Sequence, residues 1–76
     1  MFSWFVERMR TYGRLAARFR KAYDPIVDQQ HDRVVEQINA RFTDPVERQK
    51  WLDWAERVRK TEYTNWVPVG AEVVGE

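Results

Sequence analysis

Apolar residues recur along the chain at intervals of three and four, the spacing that gathers side chains on one face of an α-helix. Phe5, Met9, Tyr12, Ala16, Phe19 and Tyr23 form a first row, and Val27, His31, Val34, Ile38 and Phe42, widened by Val35, form a second. Trp51, Trp54, Ala55 and Val58 share one side of a third segment, whereas Leu52 and Tyr63 point away from that side at about 100° per residue.

Two Asp-Pro dipeptides, Asp24-Pro25 and Asp44-Pro45, fall between these rows. Proline suits the first helical position because the N–H it lacks has no partner there. Aspartate before it can accept from the free amides of the first turn, and Glu47 behind Asp44 completes an acidic capping box. Ser3 is the candidate cap of the first helix. Asn65 fits a helix terminator, and Pro68 ends the helical run. The pattern therefore predicts helices over 3–23, 25–42 and 45–62, an all-α fold in the form of a small antiparallel three-helix bundle over residues 1–64. The short connection at Asp24 is expected to fold the second helix back along the first. Residues 65–76, apolar and β-branched without a helical period, read as an extended C-terminal tail, either docked on the third helix or reaching onto another protein.

Length sharpens this picture. A chain of 76 residues makes one domain near the lower limit for burying an adequate core. Cysteine is absent, so no disulfide or thiolate–metal site reinforces it. Eleven aromatic residues, four of them tryptophan, exceed what so small an interior needs, and surface tryptophan commonly marks partner contacts. The opening residues 1–6 are too short for a membrane span and carry neither a basic n-region nor a small-residue cleavage site, so a cytoplasmic protein is expected.

Net charge is only +1, which argues against a surface given wholly to nucleic acid. The distribution is more informative. Residues 2–23 hold Arg8, Arg10, Arg14, Arg18, Arg20 and Lys21 against Glu7 alone, and Arg10, Arg14, Arg18 and Lys21 lie opposite the apolar row. Asp28, Asp32 and Glu36 stack at i, i+4 and i+8, a like-charge ridge that favours a cationic neighbour, expected around Arg8 or Arg20. Gly13 and Ala17 form a small-residue pair that lets another helix approach closely.

Catalytic chemistry finds few candidates. The glycines at 13, 70 and 75 make no phosphate-binding loop. Ser3 is the sole serine, leaving acyl chemistry without a nucleophile–base pair. Asp28 and His31 have the carboxylate-x-x-His spacing of helical metal sites, but His31 is the one histidine and a closed site needs three or four ligands; a core histidine is expected instead. No cofactor, metal or enzymatic activity is expected. The composition points to a non-enzymatic protein–protein interaction module, such as an inhibitor, adaptor or accessory subunit. Trp51, Trp54 and Trp66 are the expected apolar anchors, and Arg10, Arg14, Arg18 and Lys21 the expected electrostatic patch. The alternatives are peripheral membrane or nucleic-acid binding through the basic first helix, or a structural role in a repeating assembly. Another protein is the expected partner, with a homo-oligomer as a further option.

Overall fold

The computed structural model describes residues 1–64, so the expected tail, including Trp66, lies outside the described residues. Within 1–64 the chain is helical apart from residues 1–2 and 42–44, with α1 over Ser3–Arg41, α2 over Pro45–Val58, and a π-helical turn over Arg59–Tyr63. No strand occurs among the described residues.

The expected division of residues 3–42 into two helices at Asp24-Pro25 is corrected. These residues form one α-helical element that runs through Asp24 and Pro25, and its break lies earlier, at Phe19, where φ is −133° and ψ is 53°. The chain reverses there. A straight helix would hold Phe5 and His31 about 39 Å apart at 1.5 Å per residue, yet their ring centroids are 6.2 Å apart. Tyr12 and Tyr23 meet at 5.8 Å, and Arg8 Nη1 donates to Gln30 Oε1. Residues 3–18 and 20–41 are thus two antiparallel limbs of α1. Packing decided the position of the reversal. The limbs bury their rows against one another about a centre near Phe19, and a reversal at Pro25 would shift every one of those pairings. Asp24 consequently caps nothing; it lies in the second turn of the returning limb, and its carboxylate is engaged by Tyr63 and Arg20.

Ser3 is not the cap of α1 either. Phe2 holds that position in the left-handed region (φ 45°) with no side-chain cap, a conformation uncommon for a bulky residue. Its carbonyl accepts the Phe5 N–H at 3.1 Å and its ring is buried in the core. At α2 the sequence pattern holds. Asp44 has extended backbone and its carboxylate accepts the Glu47 N–H at 3.1 Å, with Pro45 as the first helical residue.

α2 lies parallel to the outgoing limb and antiparallel to the returning one. Trp51 sits against Phe2, Trp54 against Phe5 and Glu62 against Arg10; on the other side Glu56 faces His31 and Arg59 faces Asp28. The core between these segments comprises Phe5, Met9, Ala16, Val27, Val34, Ile38, Ala55, Val58 and Tyr63, closed at one end by Phe2. Gly13 is buried in the same row, where the missing side chain lets a neighbouring backbone approach closely.

Tyr63 reverses one expectation. Placed away from the tryptophan side by an α-helical count, it is 2% exposed. The π turn accounts for this. Bonds in such a turn run from i to i+5 rather than i+4, as in the Thr64 N–H directed at the Arg59 carbonyl. The register slips by one residue, so Tyr63, five residues after the buried Val58, comes onto the core face instead of Glu62. Removing Lys60, an exposed residue inside the turn, restores α-helical spacing while keeping Tyr63 inward. The expected result is a melting temperature within a few degrees of the parent, whereas Tyr63→Ala costs on the order of 3 kcal/mol, as large-to-small aromatic changes in cores do. A deletion as damaging as the alanine substitution would refute the register account.

Candidate interaction surface

The six cations of residues 8–23 have no carboxylate among them in sequence, so neutralisation comes from flanking residues or from across the fold. Three obtain a partner. Arg8 bonds Gln30 and lies 5.4 Å from the centre of the Trp4 ring. Arg10 holds Glu62 in a two-point contact, Nε to Oε2 at 3.0 Å and Nη2 to Oε1 at 3.2 Å; this hydrogen bonding, then the carboxylate charge, raises its pKa further above the guanidinium range. Arg20 Nε lies 3.5 Å from Asp24 Oδ2. Arg14, Arg18 and Lys21 remain. All three are exposed and make no ion pair among the described residues.

These three cluster where α1 reverses. Arg14 and Arg18 are one helical turn apart, and beside them run Leu15 and Phe19 with the same spacing. Leu15 is 46% exposed and Phe19 65% exposed, the latter at the apex of the reversal. The end of the molecule is therefore a convex apolar tip bordered by cations. Neither Leu15 nor Phe19 was among the residues expected to bind. Phe19 had been assigned to the buried row, and no residue in 16–22 is a glycine, proline or asparagine that would mark a turn.

The expected aromatic anchors lie at the other end. Trp51 stacks on Phe42 at 5.4 Å and 15°, meets Phe2 at 5.4 Å, and contacts Trp54 edge to face at 5.2 Å. Trp54 also lies 6.0 Å from Phe5. Both indoles are half-buried against the core, so much of the aromatic surplus in the sequence closes the end of the fold. Phe2 and Arg18 are separated by one limb, about 24 Å at 1.5 Å per residue. The expected site residues therefore do not form one patch: Arg14, Arg18 and Lys21 sit together, Arg10 is committed to Glu62, and Trp51 with Trp54 forms a distant aromatic cluster.

The acidic ridge also finds an unexpected partner. Asp28 pairs with Arg59 of the π turn, not with Arg8 or Arg20, because α2 rather than the outgoing limb covers that side. His31 is half-buried, with Phe5 on one side and Glu56 Oε1 2.9 Å from Nε2. Despite this approach Nε2 is buried without a hydrogen bond among the described residues. Among the described residues no group of three or more metal-ligating side chains converges, and no described helix is long and apolar enough to cross a membrane.

Behind the cationic tip, the buried Tyr63 hydroxyl donates to Asp24 Oδ1, tying the end of α2 to the returning limb. Burial and then this hydrogen bond push the Tyr63 pKa well above the ordinary phenol value. A raised folded-state pKa means the fold favours the protonated form. Its stabilising contribution is full below the unfolded value near pH 10 and is lost as pH rises toward the folded one. Phenolate absorbance should accordingly show Tyr63 ionising only with alkaline unfolding. Tyr63→Phe should bring that unfolding no closer to neutral pH and cost about 1 kcal/mol at pH 7, the worth of a single hydrogen bond. Ionisation of Tyr63 near the ordinary phenol value while the helical signal is retained would contradict this arrangement.

No protein-family model matches this chain, and neither a curated protein nor a solved structure matches it.

Proposed function

We propose that this protein is a non-enzymatic protein–protein interaction module whose working surface is the cationic tip: Arg14, Arg18 and Lys21 beside Leu15 and Phe19. One observation supports this reading above the others. Internal partners take up Arg8, Arg10 and Arg20, while the other three cations of this segment lie together and border the exposed apolar pair. Phe19 is left largely in water at the reversal, where covering an aromatic side chain is worth roughly 2 kcal/mol. A partner that offers an acidic rim around an apolar recess meets both needs. The arginines would steer encounter and set orientation, and Leu15 with Phe19 would provide the contact that slows release. In this reading Trp51 and Trp54 serve mainly to close the far end of the fold, and the module acts as an adaptor, inhibitor or accessory subunit.

The exposed aromatic apex also supports a second reading, peripheral attachment to an anionic membrane surface, where each nearby cation contributes about 1 kcal/mol. The two are separated by immobilising the parent protein and an Arg14→Glu/Arg18→Glu variant, exposing both to extract of the native host, and floating both with vesicles rich in acidic lipid. A protein retained by the parent and at least tenfold depleted on the variant, with no flotation of either, is the expected result. Helical circular dichroism should be unchanged. Flotation of the parent without a retained protein favours the membrane reading. Loss of helical signal in the variant would make these arginines structural and end the proposal.

A further inference from the structure

We infer that the reversal at Phe19 is a hinge, and that a second copy of this chain can take the place of the returning limb in a domain-swapped dimer. Three observations meet at this residue. First, the apolar row is unbroken through it: Phe5, Met9, Tyr12, Ala16, Phe19, Tyr23 and Val27 continue at intervals of three and four into Val34 and Ile38, the pattern of one continuous amphipathic helix. Second, Phe19 belongs to that row and is nonetheless 65% exposed, with Leu15 one turn before it 46% exposed. Third, the connection is a single non-helical residue set among alanine, arginine and lysine, all good helix formers, and very short connections between packed elements are where exchange of identical segments occurs.

Moving Phe19 into the α-helical region straightens Ser3–Arg41 into one helix. Amides and carbonyls on either side of the break, which as helix ends lack i→i+4 partners, then bond to one another. The outgoing limb leaves its own returning limb and α2, and packs instead on those of the second copy. The contacts of the outgoing limb reappear between chains: Phe5 with His31, Arg8 with Gln30, Tyr12 with Tyr23, and Arg10 with Glu62. The gain over the monomer is the hinge itself. Two straightened segments cross near Phe19 and cover each other's apolar row there. Arg14, Arg18 and Lys21 lie on the opposite side of the helix and stay in water, although their approach to the second copy's cations opposes dimerisation at low salt. Since the second copy covers Phe19, it competes with any partner at the tip; the inference itself does not depend on that partner.

The natural absence of cysteine permits clean labelling for the test. The full chain carrying Ser3→Cys and Arg33→Cys, both exposed positions, is spin-labelled, diluted into excess unlabelled protein, refolded at millimolar concentration in high salt, and separated by size. A fraction of twice the 9.2 kDa chain mass is expected, with an intrachain label distance near 45 Å at 1.5 Å per residue. The monomer fraction should instead give about 20 Å or less, the reach of labels on two packed helices. Inserting Gly-Ser-Gly-Ser after Phe19 lengthens the connection and should reduce the dimer fraction at least tenfold with helical content retained. A chain that stays monomeric throughout, or a dimer whose labelled chains keep the short distance, would overturn the inference.

Discussion

Burial of the two limbs of α1 against each other is the interaction on which the rest of the structure depends. Once Phe5 faces His31 and Tyr12 faces Tyr23, the chain has to reverse midway between them, whatever residue stands there. That requirement places Phe19 at the apex, draws Asp24 inside a helix, and opens a trough that α2 and the π turn fill. It also fixes which cations can be neutralised. Arg10 reaches Glu62 because α2 runs alongside it, and Asp28 meets Arg59 for the same reason. Among the described residues no segment opposes Arg14, Leu15, Arg18 and Phe19, and all four are exposed.

Much of this was legible in the periodicity. The second row, Val27, His31, Val34, Ile38 and Phe42, faces inward as its spacing implied, and the start of α2 lies where Asp44, Pro45 and Glu47 placed it. Residue type and spacing are local properties, and these features are governed locally. The position of the reversal is not. Asp-Pro is a strong signal for a helix start, and a proline past the first turn of the returning limb forfeits an i→i−4 bond, yet pairing of the rows outweighed both. Tyr63 was misplaced for a related reason: a helical count assumes a constant turn, and the π turn at Arg59–Tyr63 changes that count without any marker in composition.

The candidate site was half visible. Composition pointed to the basic first segment and to surplus aromatics, and both are real features of the chain. Their separation onto opposite ends was beyond sequence reading, because it follows from which limb folds beside which. The aromatic excess that suggested exposed anchors is largely consumed where the chain end, the α1–α2 connection and the first turns of α2 converge. The exposed apolar residues at the tip, in contrast, looked like ordinary members of an interior row.

That convergence has an optical consequence. Trp51 and Trp54 touch edge to face while Phe42 and Phe2 lie against the first of them, a crossed arrangement of rings in a fixed chiral setting. Electronic transitions of indoles so close mix, and the mixing depends on angle as much as on distance. The near-ultraviolet circular dichroism of this small protein is therefore a built-in gauge of one locality, reporting whether three distant stretches of chain are assembled there while remaining nearly blind to events at the opposite pole.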